Sequence, residues 1–198
     1  GRRAGTRAIV LCEPLRSAES VQLAADVADY LLGKLPPGPL VGEVGYRPFV
    51  MLCAANQPAK ANSLAAKMLA KGGITDQRLL RDVHQRMSQN YQVLGQFANA
   101  VESLRKALAI EATPEAHSTL IVLLNEVRAT PAEVEAAVNQ YVQKYPQRED
   151  RYERQAYVAR AYENAADKAK ALAAYKVLLP LDPAALETAR RVVRLNGD

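Results

Sequence analysis

An all-α chain of paired helices is what this sequence predicts, and three observations carry the prediction. Apolar residues recur at spacings of three and four in every periodic stretch after Ser17, and none alternates for long, so side chains gather on helix faces rather than strand faces. Helix-ending residues separate these stretches, at Leu35-Pro36-Pro37-Gly38-Pro39, Gly72-Gly73 and Gly95. The composition, 49% hydrophobic and 24% charged with only 10 glycines, is that of an alanine-rich helical protein and too apolar for disorder. About ten helices fit the 198 residues.

Residues 1–7 read as a frayed basic end, and residues 8–12 as a short apolar run ambiguous between a strand and a helix start. Ser17 is an N-cap with Glu19 in the first turn. Leu23, Val27 and Leu31 with Ala24, Ala28 and Leu32 form an apolar stripe opposite Gln22, Asp26 and Asp29, a helix of about 17 residues. The proline cluster stops it, and a loop is expected through Gly42 and Gly45, where Gly42-Glu43-Val44-Gly45 reads as a turn. A short helix follows from Arg47 to about Asn56. Pro58 suits the first turn of the next, which Ala61, Ala65, Met68 and Leu69 carry to Gly72-Gly73. Asp76 caps a further helix, with Leu79, Leu80 and Val83 leading into Met87.

Residues 87–107 are the stretch around which the rest is arranged. Met87, Ser88 and Tyr91 put a large apolar residue, a small one and an aromatic on one helix face; Gly95 ends that helix; Phe97 opens a second whose inner stripe is Ala100, Leu104 and Ala107. The order resembles the tetratricopeptide repeat (TPR), a 34-residue helix–turn–helix unit. It recurs at Val158, Ala159 and Tyr162, then Ala171 and Tyr175, closed by Leu181-Asp182-Pro183. Tyr91 and Tyr162 are 71 residues apart, two 34-residue units with three residues over, so a middle unit belongs between them. Residues 114–146 supply it, with Leu120, Ile121 and Leu124 on one helix and Val134, Val138 and Val142 on the next. Asn125 is expected where the tyrosine would be, and Thr130-Pro131 starts the second helix in place of a glycine turn.

The resemblance implies a right-handed helix-hairpin solenoid over residues 47–198, in units of about 47–75, 76–113, 114–147 and 148–183, with a capping helix at 183–196 whose outer face carries Arg190, Arg191 and Arg194. Residues 1–46 are expected to be an N-terminal basic end, helix and Pro/Gly-rich loop.

The formal net charge is +5, and residues 1–16 hold +3 of it through Arg2, Arg3, Arg7 and Arg16 against Glu13. The body is nearly neutral and interleaves signs, as in Arg148-Glu149-Asp150-Arg151, which disfavours a nucleic-acid surface. No run of about 18 apolar residues exists to span a membrane. The Gly-Arg-Arg start points to a piece of a longer protein or a cloning remnant. With an anchor ahead of residue 1, the arginines favour a cytoplasmic side.

Catalytic signatures are lacking. His84 and His117 each stand without a second histidine at ligand spacing, Gly72-Gly73 is not part of a phosphate-binding loop, and no paired carboxylates are recognisable. Cys12 and Cys53 sit among apolar neighbours, as packed thiols do. No enzyme activity, metal or cofactor is expected.

In TPR proteins the first helices of successive units line a groove that receives an extended or helical segment of a partner. The resemblance therefore implies a protein-interaction module, and places Gln85, Gln89 and Gln92, then Thr119 and Leu123, then Arg160 and Glu163 on that surface, with Arg190 and Arg194 if the last helix keeps register. The Lys/Asn set with which some members clamp chaperone tails is missing. An acidic partner suits the arginines, since guanidinium groups bind carboxylates in bidentate fashion. The expectation is an adaptor or scaffold in a multi-protein assembly, such as the soluble part of a membrane-associated secretion or polysaccharide-export complex, with self-association open. A chaperone for a secreted client is the alternative, and nucleic-acid binding a more distant one.

Overall fold

The computed structural model describes residues 17–181 and 186–197. Among these are ten α-helices and no strand: α1 Ala18–Lys34, α2 Leu40–Ala54, α3 Pro58–Ala70, α4 Gln77–Val93, α5 Phe97–Ile110, α6 Pro114–Glu126, α7 Pro131–Lys144, α8 Arg151–Asn164, α9 Lys168–Leu178, a 3-10 turn Leu179–Leu181, and α10 Leu186–Asn196. The basic end, the apolar run 8–12 with Cys12, and the Asp182-Pro183 start expected for the last helix lie outside the described residues. The chain divides into two compact units, Gly1–Glu111 and Ala112–Asp198.

Local chemistry accounts for several helix starts. The Ser17 hydroxyl accepts from the Ser20 amide, Asp76 from the amides of Arg78 and Leu79, and Thr113 from that of Ala116; Thr130 and Glu133 form a reciprocal capping box ahead of Pro131. Each cap satisfies amides that the first turn leaves without partners.

In the first unit α1 packs on α2, α2 on α3, α3 on α4 and α4 on α5. Residues 40–46, expected as loop, are the opening turns of α2, so the expected boundary at 46/47 falls inside a helix. Nor does α1 stand apart: Val21, Ala28 and Leu32 share one core with Val41, Phe49, Leu52, Ala65 and Met68. Gly42 and Gly45 mark close packing, not a turn. A methyl group on Gly42 would run into the Gly73 carbonyl, and one on Gly45 into the Met68 thioether. The helix-propensity cost of glycine, about 1 kcal/mol each, is outweighed here by contacts that only a hydrogen allows.

The pairs α2–α3, α4–α5, α6–α7 and α8–α9 all close with the same turn. One residue in each is left-handed: Asn56 (φ 53°), Gly95 (φ 69°), Arg128 (φ 51°) and Ala166 (φ 58°). The next amide bonds back to a carbonyl five residues earlier, Gln57 to Leu52, Gln96 to Tyr91, Ala129 to Leu124 and Asp167 to Tyr162, at 2.8–3.0 Å. The left-handed residue's own amide reaches Cys53, Gln92, Asn125 and Glu163 respectively, completing a Schellman closure four times.

These turns define the repeat register. First-helix slots are Pro48, Phe49 and Leu52; Met87, Ser88 and Tyr91; Leu120, Ile121 and Leu124; Val158, Ala159 and Tyr162. Second-helix slots are Ala61, Ala65 and Met68; Ala100, Leu104 and Ala107; Val134, Val138 and Tyr141; Ala171, Tyr175 and Leu178, all buried, those of the middle unit lying one residue further past the left-handed residue than in the others. Two expectations in the middle unit shift. Leu124, not Asn125, holds the place of Tyr91, and the buried Tyr141 takes the slot expected for the half-buried Val142.

In the second unit α6 packs on α7, α7 on α8, α8 on α9 and α9 on α10. The Tyr141 hydroxyl donates to Asp150 at 2.6 Å, and Tyr145 donates to the Ala112 carbonyl at 3.1 Å, so the large second-helix residues are bonded at their polar ends. Val192 and Leu195 of α10 pack against a core of Ala159, Tyr175 and Leu178.

Candidate protein-interaction surface

The turn-anchored register places each expected contact residue. On α4 Gln89 is exposed while Gln85 and Gln92 are half-buried, and the Gln92 side-chain amide donates to the Ser88 carbonyl at 3.4 Å. Their counterparts on α2 are Tyr46, Val50 and Cys53, which sequence reasoning missed because those turns of α2 were read partly as loop.

On α6 the counterparts are Ser118, Val122 and Asn125, the first two lying one residue before the expected Thr119 and Leu123. Leu123 is therefore a correction: it is 2% exposed and offers nothing to a partner. A shift of one residue turns a side chain about 100° around the helix, enough to move it from the surface to the core. Thr119 is half-buried, its hydroxyl donating to the Glu115 carbonyl at 2.9 Å.

On α8 Arg160 is exposed with its guanidinium over the Tyr157 ring, 5.7 Å from the ring centre. Glu163 accepts from the Tyr175 hydroxyl at 2.7 Å and from Arg191 at 2.8 Å, and it pairs with Arg194. The structure thus brings Glu163 and Arg194 together and adds Arg191, which had been read only as part of a polar outer face. Arg191 also lies against the Tyr175 ring and donates to its hydroxyl at 2.9 Å. Arg190 is exposed.

Electrostatics in the first unit centre on Asp82. One carboxylate oxygen accepts from the Tyr46 hydroxyl at 2.8 Å and from Arg86 at 2.7 Å, linking α2 to α4. Burial, reinforced by the Asp82 bond, pushes the Tyr46 hydroxyl up to about 12. Nearby, the Asn90 amide donates to Asn62 at 2.9 Å and to the Cys53 sulfur at 3.4 Å. Burial pushes the Cys53 thiol up, which disfavours the thiolate form. The Asp82–Arg86 pair at i,i+4 was readable from sequence; its tie to Tyr46 was not.

A concavity of about 450 Å³ opens beside this cluster. It is lined by Pro39, Gly42, Glu43, Tyr46 and Arg47 at and before the start of α2, by Gly73, Ile74, Thr75 and Asp76 of the loop ahead of α4, and by Leu79 of α4. Its surface is mainly apolar with a few charged groups. His84 is half-buried and His117 buried, and burial lowers the pKa of both. Among the described residues no cluster of three His, Cys, Asp or Glu is placed to hold a metal, and no helix is long and apolar enough to cross a membrane.

Solved structures supply the comparison. The TPR-like repeats of a Podosopora anserina protein described as a kinesin light chain superpose with a TM-score of 0.55 at 18% identity, over 98% of this chain and 99% of that one. The chain folds as TPR-like repeats. A single-residue variant of the same Podosopora anserina protein gives 0.51 at 17% identity, over 98% of both chains. A thermophilic TPR protein of Thermus thermophilus matches at 0.40 and 16% identity over 98% of both. No protein-family model matches the sequence, and no curated protein does. At these identities the TPR-like likeness is one of fold.

Proposed function

We propose that this TPR-like chain is an adaptor that holds an extended or helical segment of a partner protein against its first helices. The observation that carries the reading is the concavity between α2, the Gly73–Ile74 turn and α4, because it lies beside Tyr46, the α2 counterpart of Gln85. An apolar side chain of the partner fills it, against Tyr46, Ile74 and Leu79, while Gln85, Gln89 and Gln92 bond to the partner backbone. In the second unit Arg160 and Arg190 are exposed and suit acidic groups of a partner; Arg194 contributes only by leaving Glu163. The setting is a multi-protein assembly such as a membrane-associated export complex; with an anchor ahead of residue 1, the arginine excess of residues 1–16 would favour the cytoplasmic face.

The polar character of Gln85, Gln89 and Gln92 favours an adaptor over a chaperone, which would need a long apolar surface. Sign-interleaved, paired charges such as Arg148 with Asp150 and Arg154 with Glu153 disfavour nucleic acid.

The test is an affinity pull-down with the intact chain, followed by binding measurements of the recovered partner on Leu79→Arg and Arg160→Glu variants that retain helicity. Leu79→Arg is expected to weaken binding at least about tenfold, since it puts a charge into a largely apolar concavity. Unchanged affinity in that variant moves the partner off this site, and unchanged affinity in Arg160→Glu removes the acidic contact.

A further inference from the structure

The outer face of α1 has a pattern that the adaptor reading does not use. Its inner face, Val21, Ala25, Ala28 and Leu32, is buried in the first unit's core, and one flank is tied to α3, where Lys60 donates to Gln22, Lys67 pairs with Asp29 and Lys71 reaches the Leu32 carbonyl. On the remaining side Leu23 is 53% exposed and Tyr30 67% exposed. The two are seven residues apart, two helical turns, and so share one stripe. Glu19 and Lys34, both exposed, flank them on the same side. The Lys34 ammonium lies 5.9 Å from the centre of the Tyr30 ring.

The order Glu19, Leu23, Tyr30, Lys34 is self-complementary when read in opposite directions. Both pairs, Glu19 with Lys34 and Leu23 with Tyr30, are centred on the peptide between Asp26 and Val27. Two such helices laid antiparallel about a two-fold axis at that peptide bring each Leu23 onto the other copy's Tyr30 and each Glu19 beside the other copy's Lys34. A two-fold interface requires this reciprocity, residue i meeting j and j meeting i. We infer that the occupant of this face is a second copy of the chain, docked through an antiparallel α1–α1 contact.

The same geometry makes the dimer weak. Asp26 and Val27 of the two copies come nearest the axis, where the Asp26 carboxylates repel each other, although each already accepts from its own Gln22 at 2.6 Å. A single helix pair also covers less than the roughly 1,200 Å² of a stable interface. The association is therefore transient, tightening when the Asp26 charge is removed and loosening with salt as the Glu19–Lys34 pairs are screened.

Sedimentation equilibrium of the chain from about 10 μM to about 1 mM tests this, with helicity of each variant checked by circular dichroism. The expected result is a reversible monomer–dimer equilibrium whose dissociation constant rises about tenfold or more in Tyr30→Glu, falls in Asp26→Asn, and rises in Glu19→Lys or Lys34→Glu alone but returns toward the starting value in the double charge swap. A monomer throughout that range overturns the proposal, and so does a dimer indifferent to Tyr30→Glu. Failure of the double swap to restore association overturns the antiparallel register. Loss of partner binding in Leu79→Arg is a separate outcome, because Leu79 lies on α4 and not on this face.

Discussion

The Tyr175 hydroxyl of α9 and the Glu163 carboxylate of α8 are 2.7 Å apart, and the same carboxylate takes Arg191 and Arg194 from α10. One acidic side chain therefore holds the terminal helix to the last hairpin. Glu163→Ala is expected to lower the unfolding free energy by about 1–3 kcal/mol, the range for hydrogen bonds to a charged group left without its partner. Amide exchange in α10 should rise more than elsewhere. Equal exchange in α10 before and after would show that Val192 and Leu195 suffice to seat it.

Glycines that look alike in sequence should respond in opposite ways. Gly45→Ala forces the buried Met68 to move and is expected to cost about 1–3 kcal/mol. Gly42→Ala should cost more, because its obstacle is the Gly73 backbone. Gly33→Ala in α1 meets nothing within 4 Å and should stabilise by up to about 1 kcal/mol through helix propensity. Thermal melts of the three variants decide it; a loss of stability in Gly33→Ala or none in Gly42→Ala would contradict the packing described.

The repeated turn makes a prediction at a position that carries no glycine. Ala166 is left-handed at φ 58°, which costs an L-residue roughly 1–2 kcal/mol, partly offset by the greater freedom that glycine has when unfolded. Ala166→Gly should thus raise stability by no more than about 1 kcal/mol, and Gly95→Ala should lower it by a similar amount. Denaturant midpoints showing both changes with the same sign would mean that the turns are not equivalent.

Acidification should weaken the fold through its histidines. His117 is buried with Nδ1 3.2 Å from both the Thr113 carbonyl and the Tyr145 hydroxyl, and burial lowers its pKa below 6.5, as it does for His84. A lowered folded-state pKa means that the unfolded chain binds the proton more readily, so the contribution is complete above the unfolded value near 6.5 and is lost as pH falls through the folded one. Stability should therefore decline below about pH 6.5, and a His117→Gln variant should show a shallower decline. Identical slopes in both proteins would assign the decline to other groups.

Much of the fold was legible because it rests on local chemistry. Ser17, Asp76 and Thr130 can be read as caps from their own side chains, and Met87, Ser88 and Tyr91 around Gly95 reveal one repeat because glycine and tyrosine there are distinctive. The middle unit was misread by one residue on its first helix because Arg128 occupies the left-handed position where Gly95 stands in its neighbour. The turns repeat at intervals of 39, 33 and 38 residues rather than at a constant period, so only the turn hydrogen bonds recover the register. That single-residue error placed Leu123 on the surface and put Asn125 in the tyrosine slot that Leu124 holds.

By itself the sequence determined an all-helical chain, the caps of several helices, the central hairpin with its buried Ala100 and the matching Ala171 of the last repeat, since helix periodicity and capping act within a few residues. Only the tertiary structure decided that Gly42 and Gly45 belong to a helix, that α1 shares the core of α2–α4, that Tyr46 binds Asp82, and that Arg191 and Arg194 converge on Glu163. Each of these depends on which side chain arrives from a distant part of the chain. A glycine reads as a turn until a carbonyl or a methionine is found pressed against it, and an arginine reads as solvated until a carboxylate is found beside it.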